Sequence, residues 1–180
     1  MRKFVGVVLA AGLLVPAAMY VGAPAGAAGG TSCAKGAGSA TFTPALPDLT
    51  STVKVKDVLK SSGTVTGCTG TVKSGTLTGV APPSTGSNCK TIATPTTTPT
   101  KLTLTVKWNT GATTTIAAQL KEIPGTPVTT QTVSGTVSAG LFKGSKLTGK
   151  FTYKLPAGVC GKGKPLAKLT YTNVGATVIK

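Results

Sequence analysis

Residues 101–122 read KLTLTVKWNTGATTTIAAQLKE. Leu102, Leu104, Val106 and Trp108 alternate with Lys101, Thr103, Thr105 and Lys107. That period of two puts one face in a core and leaves the other wet and basic. Asn109-Thr110-Gly111-Ala112 supplies turn residues, and Ile116, Ala118 and Leu120 then share a face up to Leu120. Gly111 can take the positive φ that a short hairpin loop demands. The stretch predicts a β-hairpin whose buried face carries the only tryptophan. Outward from it, most of the chain repeats the same vocabulary of Thr, Val, Lys and Gly, which suits strands and turns rather than helices.

The start of the chain is of another kind. Arg2 and Lys3 precede an apolar run from Phe4 to Val21, and Ala25-Gly26-Ala27 has the form of a cleavage site. This predicts a signal peptide over residues 1–27 and a single secreted β domain over residues 28–180. Pro16, Pro24 and the small residues closing the run argue against a retained membrane anchor, so no transmembrane segment is expected after cleavage. Without Arg2 and Lys3 the chain has 17 lysines against Asp48, Asp57 and Glu122, a net +14. Neither arginine nor histidine remains.

Cys33, Cys68, Cys89 and Cys160 are even in number in an exported chain, which predicts two disulfides. Three connectivities are open. The spacing favours Cys68–Cys89 as a local staple and Cys33–Cys160 as a clamp between the ends. Zinc is disfavoured, because no pair has C-x-x-C spacing and there is no histidine.

Elsewhere the sequence predicts a flexible start over Gly29 to Gly38 and a short strand over Ala40 to Thr43, stopped by Pro44 and Pro47. Strands follow at Thr52 to Leu59, Thr64 to Cys68 and Gly70 to Val80, with Ser62-Gly63 as a break. Thr94 to Thr100 is a Thr/Pro connector, and Pro124-Gly125-Thr126-Pro127 a turn. A strand over Val128 to Ser138 breaks at Gly135. Leu147, Phe151, Tyr153 and Leu155 share one parity and mark a second clear half-buried strand. Leu166 to Asn173 and Ala176 to Ile179 finish the chain. No stretch of ten or more residues combines helical period, capping and length. About eight to ten short strands with regular turn signals predict an all-β fold, an antiparallel β-sandwich or a Greek-key barrel.

Several motifs act together: TFTPALP (Thr41 to Pro47) after Cys33, VKVKDVL (Val53 to Leu59) before GTVTGCTG (Gly63 to Gly70), SNC at Ser87 to Cys89, TVKWNTG (Thr105 to Gly111), and VSAGLFKG (Val137 to Gly144). They resemble a group of small exported actinobacterial proteins that carry no assigned function. The resemblance covers most of the mature chain. It implies an extracytoplasmic β domain and supplies no catalytic residues.

Chemistry is thin. General acid–base work needs groups that titrate near working pH; Asp57 and Glu122 both lie on expected strands and could meet, but surface counter-charges for lysines are the better reading. Ser51-Thr52-Val53-Lys54 and Ser87-Asn88-Cys89-Lys90 fit S-x-x-K, but neither is set to open a catalytic helix and no K-T-G follows. Gly158 to Pro165 ends in Pro where a phosphate-binding loop needs Ser or Thr. It is left as a basic, Gly-rich loop whose Lys162 and Lys164 are the candidate anion contacts. Trp108, Tyr153 and Tyr171 fall on core parities rather than forming a sugar platform. No enzyme activity, cofactor or metal is expected. The charge points to polyanions. Nucleic acid is disfavoured because lysine alone lacks the bidentate fork of arginine. Anionic cell-wall polymers or lipid headgroups remain, and with them a secreted or wall-associated interaction module. The alternative is a small-molecule carrier, for which an open apolar cleft between the sheets is the diagnostic. Neocarzinostatin-type apoproteins share that architecture, though they are acidic and space their cysteines differently.

Overall fold

The alternation in residues 101–122 folds as it reads, with Leu102, Leu104, Val106 and Trp108 buried. The computed structural model describes residues 29–93, 98–123 and 129–180. The expected signal peptide, residues 94–97 of the Thr/Pro connector and the expected turn at residues 124–127 lie outside them.

The strands are β1 (Thr31–Leu46), β2 (Val58–Cys68), β3 (Ser74–Val80), β4 (Thr100–Trp108), β5 (Thr113–Glu122), β6 (Thr130–Gly140), β7 (Lys146–Lys154), β8 (Leu166–Asn173) and β9 (Thr177–Ile179). One short helix, α1 (Cys89–Ala93), lies between β3 and β4. Each strand pairs antiparallel with the next from β1 to β8, and β8 pairs with β1, so the sheet closes on itself. The fold is therefore an eight-stranded antiparallel barrel with up-and-down connectivity. Of the two expected architectures it is the barrel that is adopted, not two facing sheets, but strand neighbours follow chain order where a Greek key was expected.

The eighth stave is split. β9 continues the line of β8, pairing with β1 through Thr31 to Cys33 and with β7 through Leu147 and Thr148. Between the two pieces the ladder is interrupted at Val174 to Ala176, and one side chain repairs the gap. Asn173 Oδ1 accepts from the Gly36 amide at 2.6 Å, and its Nδ2 donates to the carbonyls of Ala34 and Gly175. The Val174 amide donates to the Lys150 carbonyl on the other flank.

The two barrel ends differ. Short turns join β2–β3, β4–β5 and β6–β7 at one end; the connections β1–β2, β3–β4, β5–β6 and β7–β8 at the other are longer. Trp108 plugs the short-turn end. It packs edge-on to Phe142 with ring centroids 5.9 Å apart, and its Nε1–H donates to Thr114 Oγ1 at 2.7 Å. Thr114 is fully buried and passes the bond to the Leu141 carbonyl. Leu46, Cys89, Cys160 and Leu166 form a second cluster towards the long-connection end.

Four local expectations are corrected. The segment from Thr31 is not a flexible start, because it forms the first half of β1, laddered to β2 and β9. Pro44 does not stop that strand, which runs to Leu46. Thr52 to Leu59 is mostly connection. The place beside β1 is taken by residues 58–68, so Val53 is exposed and Val55 makes only an isolated bridge to Ser87. Gly63 and Gly135 do not break their strands; both are paired within β2 and β6.

The disulfides are Cys33–Cys68 and Cys89–Cys160, which overturns the expected pairing of Cys68 with Cys89 and of Cys33 with Cys160. Cys33 and Cys68 face each other across the β1–β2 ladder. Cys68 and Cys89 lie at opposite barrel ends, separated by the seven residues of β3, a span of about 23 Å that no disulfide bridges. The second bond ties α1 to the β7–β8 connection. Two disulfides fit an oxidising compartment. Among the described residues no helix is long and apolar enough to cross a membrane.

Candidate functional site

An eight-stranded barrel is just wide enough for side chains to fill it or for one small ligand to enter. Here the inner face carries too little side chain to fill it. Across the ladder from β1 to β7, inward places fall to Gly38, Gly63, Gly79, Gly135 and Gly149, with Ala40 and Ser61 between them. Neighbours close over most of those glycines: a Cβ at Gly38 would strike the Ser62 carbonyl and the Tyr171 ring, one at Gly63 the Ala37 carbonyl, one at Gly79 Ser61 and Leu104, and one at Gly135 the Ala117 carbonyl. A cavity of about 540 Å³ is nevertheless left, with Gly36, Ala40 and Ser61 as small members of its wall.

Its wall is mainly aliphatic and aromatic. Leu59, Leu77, Leu102, Leu104, Leu120 and Val133 line its flanks. Trp108 lies towards the short-turn end, and Pro82, Pro83 and Ser84 bound it at the long-connection end. The volume lies within the range of small-molecule sites.

Polar groups enter at few points. The Tyr171 hydroxyl donates to the Ser62 carbonyl and that of Tyr153 to the Ile92 carbonyl, both at 3.2 Å. Burial raises both phenols above their ordinary pKa; the charge of Glu122 adds to the rise at Tyr153, while a bond with Ser61 offsets part of it at Tyr171. Asp57, Glu122, Lys101 and Lys150 are the charged members of the wall. Asp57 is 5% exposed and sits just before β2. Its Oδ1 accepts from Ser84 Oγ at 2.5 Å, and its backbone exchanges bonds with Ser84 in both directions.

The residues singled out in the sequence fall in different places. Trp108 and Tyr153 are buried and Tyr171 half-buried, and all three line the cavity, so they are at once core and wall. Asp57 and Glu122 do meet the same cavity. Ser51 and Lys54 lie in the β1–β2 connection; Ser87 bridges to Val55 just before α1. Lys162 and Lys164 are exposed in the β7–β8 connection. The loop's Gly163 amide already has an anion, donating to Asp48 Oδ2, while Asp48 Oδ1 accepts from Thr50 and Ser51. These bonds, led by the Thr50 hydroxyl, hold the Asp48 carboxyl below its usual pKa. Among the described residues no cluster of His, Cys, Asp and Glu could hold a metal.

The lumen itself escaped the sequence reading. Its signal was present in the glycines of strand-like segments, which read equally as turns.

Fold and cavity together define a closed antiparallel barrel with an apolar lumen. No family model, no curated protein and no solved structure matches the chain.

Proposed function

We propose that this is an exported, non-enzymatic binding protein that carries one small, largely apolar molecule in the barrel lumen. The cavity of about 540 Å³ carries this reading. A filled core would have added stability through burial, yet the wall keeps Gly36, Ala40 and Ser61 beside an apolar space. An open apolar cleft is the diagnostic of a carrier, and the barrel lumen supplies such a space.

The test uses Trp108, which lines the cavity and is the chain's only tryptophan. Dodecanol titrated into the oxidised mature protein is expected to shift its fluorescence saturably at one molecule per chain. Leu120→Trp, which adds bulk on the cavity wall, is expected to weaken that binding by about tenfold or more while the barrel stays folded. Unchanged affinity in a folded Leu120→Trp protein would place the ligand outside the lumen and remove the proposal.

A second reading concerns the surface. Every lysine among the described residues is exposed except Lys150, which is half-buried. Such a surface supports loose attachment to anionic wall polymers or lipid headgroups, alongside the lumen rather than instead of it.

A further inference from the structure

The cavity also bears on what its occupant looks like. The mature chain has three carboxylates among 17 lysines, and two of the three, Asp57 and Glu122, line the lumen. The third, Asp48, is engaged outside with Gly163. Asp57 is the one buried charged side chain among the described residues. Its Oδ1 is satisfied by Ser84. Its Oδ2 has no hydrogen-bond partner among the described residues, yet it is not shut away from all contact with solvent or cavity. Lysines are plentiful, but the two in the wall do not neutralise this group: Lys101 is exposed, Lys150 is half-buried, and neither bonds Asp57.

A carboxylate on a side chain this buried keeps little solvation, and a charge-assisted hydrogen bond from a ligand is the strongest way to satisfy the oxygen left open. A carboxylate on the ligand would instead meet like charge in a site of low dielectric.

We propose that the lumen selects an apolar molecule ending in a protonated amine, with the ammonium seated on Asp57 Oδ2 and the hydrocarbon among Leu59, Leu77, Leu102 and Leu104. This rests on the reading of the lumen as a ligand site. The positive surface does not forbid it, because at physiological ionic strength exposed charges beyond about 8 Å are largely screened.

Three probes with one chain and different heads test it: dodecylammonium, dodecanol and dodecanoate, each below its aggregation concentration at pH 7, read by Trp108 fluorescence. The expected order is ammonium tightest, by about tenfold or more over the alcohol, with the carboxylate weakest. Asp57→Asn keeps an acceptor for Ser84 and is expected to abolish the ammonium's advantage over the alcohol measured on the same variant. Dodecanoate binding as tightly as the ammonium overturns the inference, as does an ammonium preference that survives Asp57→Asn. If that variant does not fold, the order of the three heads on the unaltered protein decides. Binding of the alcohol with no gain from the ammonium sinks only the head-group assignment. Failure of all three to bind sinks the lumen reading and this inference with it.

Discussion

Asn173 shows how much one side chain can carry in a closed sheet. The split between β8 and β9 leaves backbone groups of β1 without a ladder partner, and the Asn173 amide replaces that ladder by accepting from Gly36 and donating to Ala34. Truncation removes both bonds while the wall stays in place. Asn173→Ala is therefore expected to lower stability by about 1–3 kcal/mol, chiefly the cost of leaving the partly buried Gly36 amide unbonded, measured by urea denaturation. Loss of less than about 0.5 kcal/mol would mean that water repairs the gap as well as Asn173 does. Gly38 makes the complementary case. Tyr171 lies over the space where a Cβ at Gly38 would stand, so Gly38→Ala forces the ring or the β1–β2 ladder to move. We expect a loss of about 1–3 kcal/mol from overpacking and a disturbed near-ultraviolet tyrosine signal. A neutral substitution would show that Tyr171 has free room to move into the lumen.

At the scale of elements, the β7–β8 connection is pinned by a carboxylate rather than offered to one. Asp48 joins it to the β1–β2 connection through the Gly163 amide, and the Cys89–Cys160 bond joins it to α1. Hydrogen bonds lower the folded pKa of Asp48 below its ordinary 3.8. A depressed carboxyl pKa stabilises the folded form above the unfolded value, and that contribution is lost as pH falls through the folded one. Hydrogen exchange at the Gly163 amide is expected to lose protection as pH drops below about 3.8, whereas Asp48→Asn should show the weaker protection already at pH 6. Protection unaffected by the substitution would assign the loop's order to the disulfide alone. Legibility also differed between elements. β4, β5, β7 and β8 were readable because large apolar residues mark their inner faces: Leu102 to Trp108, Ile116 to Leu120, Leu147 with Tyr153, and Leu169 with Tyr171. Much of β1 and β2 was not, because Gly36, Gly38 and Ala40, and Ser61 and Gly63, occupy inward places where periodicity is normally read. Of these small residues, Gly36, Ala40 and Ser61 also line the lumen. The disulfide pairing was hidden for a related reason, since it depends on which strands lie side by side.

Across the whole molecule, the two proposed tasks fall on two surfaces, the charge outside and the cavity within. Exposed lysines occur at both barrel ends, Lys35, Lys73 and Lys143 near the short turns and Lys54, Lys90 and Lys162 in the long connections. Charge spread in this way acts as a sum over many screened contacts and has no single focus. Attachment to an anionic polymer should therefore weaken steeply with salt, while any one Lys→Gln change alters it by no more than about twofold, each exposed contact being worth only a few tenths of a kcal/mol. The lumen should behave in the opposite way. Apolar burial is not screened by salt, so binding of uncharged dodecanol at 0.5 M sodium chloride is expected to match that in dilute buffer. The comparison is made on one preparation: retention on a column of an anionic wall polymer and Trp108 fluorescence with dodecanol, each followed across the same salt series. Retention lost while lumen binding persists would separate the two surfaces. A single lysine substitution that abolishes retention would instead reveal a focused anion site, and a parallel fall of both signals would mean that salt acts on the barrel itself.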